Sequence, residues 1–396
     1  MRITTSFIAA IGLVLALAVS HSAAAEPEFE QVDLFQAGQG GYELYRIPGI
    51  VATPRGSLLA YCEARKSARA DWGHIDILMR RSTDGGKTWS AAEKIVELEG
   101  KFDRNPAAVA QGLGKEGEIT INNPLAIVDS KNDLVHFLYC VEYNRLFHMT
   151  SSDDGQSFSK PVEITSAIDA FRPDYDWQSF AVGPGHGIQL RNGRLLTAVW
   201  LSTGKGGHAH RPSIVSTIYS DDGGKTWHRG DIVAGEQRPL KNPSESIVVE
   251  LSDGQVMINL RSESKEHRRA FAIGPDGATK WSEPKFAEAL LEPVCMASIV
   301  RVDGQSAGGG GKPSIVFANP DTEKGRKNLS VQLSEDDGKT WRSKRVLESG
   351  PSAYSDLAVG ADGSIYCFYE VGMSGPYERL RVAKFSRKWL SSDSAE

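Results

Sequence analysis

The octapeptide Ser82-Thr-Asp-Gly-Gly-Lys-Thr-Trp89 constrains this chain more than any other feature, because the chain writes it repeatedly. Near-copies stand at Ser220–Trp227 and Ser334–Trp341. A weaker copy at Ser151–Phe158 has Phe for Trp, and a decayed one at Gly274–Trp281 keeps Asp276 and Trp281. The chemistry is that of a tight hairpin turn: Asp accepts hydrogen bonds from turn amides, Gly supplies a positive φ, and Trp packs between strands. Nothing in the octapeptide is reactive, so it reads as scaffold. A turn recurring at intervals of roughly fifty to seventy residues predicts one small antiparallel sheet per repeat, the construction of a radial propeller.

Between the boxes lies a second periodic element, a pair of apolar strands joined by a Gly-containing turn. Six such hairpins can be read. The first leaves Arg46, turns at Pro54–Ser57 and returns to Arg65. The second leaves Asn123 and returns through Cys140 to Glu142, and the third turns at Asn192-Gly193. The fourth leaves Glu245 and returns to Arg261, the fifth runs through Cys295–Val302 and Ser314–Asn319, and the sixth leaves Tyr354 and returns to Glu370. Counting about the turns places Arg46 opposite Arg65 with Glu63 near by, and Glu245 opposite Arg261. Leu380–Phe385 and Gln31–Phe35 can complete the sixth sheet from both chain ends, hiding the edge that a propeller must not expose. The expected fold is therefore all-β, a six-bladed β-propeller of four-stranded antiparallel blades filling residues 26–396. Its turns and boxes fall on one face. Arg46, Glu63, Arg65, Glu245, Arg261, Tyr354 and Glu370 gather at the other, facing one central mouth.

Residues 1–25 read as an export signal: Arg2, an apolar run from Phe7 to Val19, and small residues Ala23-Ala24-Ala25 before cleavage. The apolar run is too short to span a bilayer comfortably, so an exported, periplasmic or secreted protein is expected. The formal charge of −5 comes with no basic stripe, which argues against nucleic acid as a partner. Cys62, Cys140, Cys295 and Cys367 lack metal-ligand spacing and sit in apolar strand patterns, where buried free thiols are the plainer reading although export permits disulfides. No metal or cofactor is called for. His208 and His210 lack a third ligand and read as surface or rim residues. His267-Arg-Arg269 reads as a solvated strand end, His186 as a turn or pocket residue, and Trp177 as either a sugar-facing or a blade-packing side chain.

Tyr45-Arg-Ile-Pro48, the box repeats, Phe180–Leu190 and Ala353-Tyr-Ser-Asp-Leu357 together resemble the exo-sialidases (neuraminidases) of bacteria and animals, over essentially the whole chain after the leader. The resemblance implies that Arg46, Arg261 and Arg326 form a triad that clamps a carboxylate. Rigid, permanently charged guanidiniums suit that task. It implies that Glu370 supports Arg46, that Glu63 is a supporting acid, and that Arg65 and Asn123 face the substrate. Tyr354, activated by Glu245, takes the place of the nucleophile, the recognised exception to paired carboxylates among retaining glycosidases. A neutral phenol avoids the repulsion that a carboxylate nucleophile meets beside the carboxylate of sialic acid. Asp71 takes the place of the general acid/base, with Asp76 as a competitor whose position inside a strand makes it the poorer candidate.

The expected activity is release of terminal sialic acids from glycoproteins, glycolipids or oligosaccharides with net retention. One rival is a trans-sialidase, separated by product analysis with an added acceptor. The other is a non-catalytic sialoglycan-binding propeller, which has no reason to keep Tyr354, Glu245 and three matching arginines together.

Overall fold

The computed structural model describes residues 29–67, 71–235, 240–303 and 312–391. The expected leader, 1–25, lies outside them. The described chain is all-β save for short helical turns, and its sheets are built from four-stranded antiparallel groups. Two stand alone: Leu44–Ala52, Leu58–Arg65, Ile75–Ser82 and Glu93–Lys94 form one, and Ser246–Glu250, Val256–Leu260, Arg268–Gly274 and Lys285–Leu291 another. A seven-stranded sheet is two such groups sharing the 17-residue strand Ser343–Val359. The first part of that strand pairs with Lys327–Ser334, and its last residues pair with Ile365–Val371. Phe29–Gln36 pairs with Arg379–Phe385, so the two ends of the described chain share one sheet edge.

The remaining two sheets are stitched together in a way that hairpin counting does not reach. Ser179–Val182 and Ile188–Gln189 both pair with Leu195–Ser202. Between them Gly185–His186 departs to lie parallel to Leu125–Ala126 of the neighbouring sheet. His186 is thereby buried with its Nδ1 2.8 Å from Asp356. Asp356 also accepts the Ile50 amide (2.9 Å) and the Ser298 hydroxyl (2.8 Å), tying several innermost strands to one buried carboxylate.

Each box is a closed local circuit. Ser82 Oγ donates to Asp84 (2.8 Å) and accepts from Gly86 N (3.0 Å), while Asp84 accepts the Thr88 amide (2.9 Å) and hydroxyl (2.6 Å). Trp227 of the third box is buried edge-on against His148, and a Cβ at Gly224 would meet His136 at 2.7 Å, so this turn needs glycine for space as well as for its φ of 83°. The boxes and the hairpin turns share one face, since Leu58, next to the first turn, pairs with Ser82, while Arg65 pairs with Ile75 at the opposite end.

The structure corrects the register of the first hairpin. Arg46 pairs with Glu63, and Arg65 with Leu44, because the hairpin is centred on Arg55 and its ladder bulges at Ile47-Pro48. Ile47 there has a φ of 58°, a strained value for a β-branched residue, held by its amide donating to Glu370 Oε1 at 3.1 Å. Arg269 is no solvated strand end. It is fully buried, donating to Asn259 Oδ1 (2.7 Å), Glu292 (3.2 Å) and the Cys295 carbonyl (3.0 Å). All four cysteines are buried free thiols, and Trp177 is packed in the core with its indole N–H on the Ile168 carbonyl.

Candidate active site

At the face opposite the boxes, the inner-strand ends surround a cavity of about 210 Å³ lined by Arg46, Asp71, Glu245, Arg261, Arg326 and Tyr354 among others. Arg46 is placed by the bulge, its Nε donating to Glu370 Oε1 at 2.6 Å. Glu370 is wholly buried and also accepts the Tyr354 amide at 3.0 Å, so one carboxylate positions both an arginine and a tyrosine. Burial of such an ion is tolerable only because its lone pairs are filled.

Tyr354 lies at the centre. Its hydroxyl donates to Glu245 Oε2 at 2.6 Å and accepts from Arg261 Nη1 at 2.7 Å, and Arg261 closes the triangle by an ion pair to Glu245. The register predicted this meeting, since Ser246 pairs with Leu260 one step further along the ladder. Arg46, Arg261 and Arg326 approach the Tyr354 ring at 5.2, 5.9 and 5.0 Å. Burial holds the phenol well above its ordinary pKa; Arg261 works against that shift and Glu245 adds to it. Such a phenol ionises only with help, and Glu245 is within reach of its proton.

Asp71 stands at the rim with its side chain 53% exposed, 3.0 Å from Arg65 Nη1. Partial desolvation at the rim opposes ionisation of this carboxyl, but Arg65, Arg46 and His210 outweigh it and hold its pKa below the usual carboxylate range. Arg65 is itself held by a two-pronged pair to the buried Glu63, at 3.0 and 2.6 Å. Glu63 also accepts the Asn123 amide at 2.9 Å. Asn123 is buried, with its side-chain nitrogen on the Val182 carbonyl, and does not line this cavity. Asp76 faces elsewhere, bonded to Tyr42 (2.8 Å), His74 (3.2 Å) and Lys94 (3.1 Å).

Several lining residues escaped sequence reasoning. Trp200, Arg211, Asn242, Ser244 and Glu263 also line the cavity. Glu263 pairs with Arg211 and accepts from Asn242 at 2.8 Å. His208 and His210 also line the cavity. His210 is pressed among Trp72, Tyr143 and Trp200, and burial lowers its pKa to about 4. Tyr377, beneath Arg46 and bonded to Arg326, was likewise missed. All of these except Trp200, which sits in the strand Leu195–Ser202, come from loops between strands, where no periodicity marks direction.

A family model described as a BNR repeat-like domain matches residues 104–367, and a BNR/Asp-box repeat model matches residues 80–91. The chain belongs to the family of sialidases that carry BNR/Asp-box repeats. It is 30% identical over 388 residues to a sialidase of Micromonospora viridifaciens, covering 92% of this chain and 55% of that protein. It is also 30% identical over 364 residues to a sialidase of Bacteroides fragilis, covering 86% of this chain and 62% of that one. The chain thus spans little more than half the length of these relatives. Among solved structures, the Hadza microbial sialidase Hz136 superposes with a TM-score of 0.74 at 28% identity, over 89% of this chain and 68% of that chain.

Proposed function

We propose that this protein is a retaining exo-sialidase, exported and built as a six-bladed propeller, acting on terminal sialic acids of glycans. The blade count is supported by six four-stranded groups, once the long strand Ser343–Val359 is divided between two, and by its contact with Leu44–Ala52 of the first group. The activity rests on one observation above all: a buried tyrosine hydroxyl 2.6 Å from a carboxylate, ringed by three guanidiniums.

In this reading Arg46, Arg261 and Arg326 bind the sugar carboxylate. Glu245 takes the phenolic proton as Tyr354 Oη attacks the anomeric carbon, and the glycosidic C–O bond breaks with Asp71 protonating the departing oxygen. Water then attacks the same carbon, Asp71 accepts its proton, and the bond to Tyr354 breaks as Glu245 returns the proton to the phenolic oxygen. Paired with Arg65, Asp71 is held as an anion. Its acid role requires that the bound sugar carboxylate draw on the neighbouring cations and raise its pKa. Release of free sialic acid from a fluorogenic sialoside tests the proposal, and adding a glycan acceptor separates hydrolysis from transfer. Binding of the sialoside without release would leave only a lectin-like propeller.

A further inference from the structure

We propose that Tyr377 is a positioning residue for the carboxylate clamp, setting Arg326 through its hydroxyl and Arg46 through its ring. The inference rests on the sialidase reading of the site. Three cations sharing one mouth repel one another, and each needs a partner to hold its geometry before substrate arrives. Arg46 has Glu370 and Arg261 has Glu245. Among the described residues Arg326 has no carboxylate at ion-pair distance. Its donors go to two neutral acceptors, the Val294 carbonyl at 3.1 Å and the Tyr377 hydroxyl at 2.9 Å.

That difference has a chemical use. A carboxylate on Arg326 would compete with the carboxylate of the ligand, whereas a phenol orients the guanidinium and leaves its charge unspent. The same tyrosine puts its ring 4.1 Å beneath the Arg46 guanidinium, so one side chain spans two members of the triad.

The loop that carries Tyr377 is itself held. Glu378 accepts the amides of Ser374 (2.7 Å), Met373 (3.0 Å) and Gly375 (3.3 Å), and its carbonyl accepts Ala37 N at 2.9 Å. Gly372 has no room for a side chain, since a Cβ would lie 2.0 Å from the Gly375 carbonyl.

The test uses two ligands on the full chain: 2-deoxy-2,3-didehydro-N-acetylneuraminic acid and its methyl ester, which lacks the anionic carboxylate. Tyr377→Phe keeps the ring and deletes the hydroxyl. It should weaken the acid about tenfold, the order expected for one hydrogen bond to a charged group, while affecting the ester by less than about twofold. KM for an activated aryl sialoside should rise with kcat little changed. Glu378→Ala, which leaves Tyr377 in place but frees its loop, should show the same selectivity at about threefold, and it carries the test if Tyr377→Phe does not fold. Equal losses on acid and ester, or none, overturn the inference. An active parent with an unaltered Tyr377→Phe removes this inference alone. A parent that neither turns over sialosides nor binds the acid removes the sialidase reading with it.

Discussion

The two faces of the molecule are built on opposite plans. On the box face, four turns repeat one circuit, the Ser hydroxyl donating to Asp at 2.8 Å in every copy, between partners two residues apart. At the charged mouth, the contacts that set Arg46 and Tyr354 are made once and between distant partners: Arg46 with Glu370 across 324 residues, Tyr354 with Glu245 across 109. Local, repeated contacts give stability that survives the loss of one copy in the chemistry. Single, distant contacts give function that one atom can remove.

The comparison breaks hardest at Tyr354. Tyr354→Phe deletes the attacking oxygen and leaves the clamp and the boxes intact, so turnover should fall on the order of 10³-fold or more with an unchanged melting temperature. Trapping with a fluorinated sialoside should label the Tyr354 peptide in the parent; a label on another residue reassigns the nucleophile.

Asp71→Asn comes next, with an effect that depends on the leaving group. On sialyllactose the loss should be roughly 10²–10⁴-fold, while glycosyl transfer from an activated aryl sialoside should be largely spared. Equal losses on both substrates, with a selective loss for Asp76→Asn instead, would place the acid on the other aspartate.

On the box face the expected response is the reverse. Trp227→Ala removes a buried aromatic and should cost about 3–5 kcal/mol of stability, read as a lower melting temperature with kcat retained in the folded fraction. Lost turnover at parental stability would show that the boxes reach into the chemistry.

The smallest effect concerns acid. The box carboxyls of Asp84, Asp153 and Asp222 are lowered to about 2 by hydrogen bonds from Thr88, Ser157 and Thr226. A carboxyl whose folded pKa lies below its unfolded value of about 3.9 stabilises the fold fully above that value and loses the contribution as pH falls toward 2. Melting temperature should therefore drop between about pH 4 and 2, and Asp222→Asn should flatten that drop slightly. An unchanged slope would mean that the box carboxylates do not carry the acid sensitivity.

How much of this was legible in the sequence follows the same division. The boxes could be read in full, because an Asp that caps amides two to four residues away writes its geometry into spacing. Most hairpins could be counted because a two-residue period survives in each strand. Pairing about the Asp-Gly turn brought Glu245 to Arg261, but counting about Pro54–Ser57 misplaced Arg46 against Arg65, since the hairpin is centred on Arg55 and the bulge beyond Arg46 leaves no mark in the sequence. Strand counting brought Tyr354 to the mouth, but resemblance supplied its role and supplied Arg326 and Asp71; spacing alone does not join them.

What the sequence determined by itself was a repeated small sheet, its turn chemistry and the set of charged residues at strand ends. Only the tertiary structure decided that Glu370 serves Arg46 and Tyr354 at once, that Arg269 is buried rather than solvated, and that Tyr377 leans across two arginines. The reason is physical. Turn and strand geometry are set by neighbours along the chain, whereas the partner of a buried charge is set by which sheets pack together, and that is a property of the whole fold.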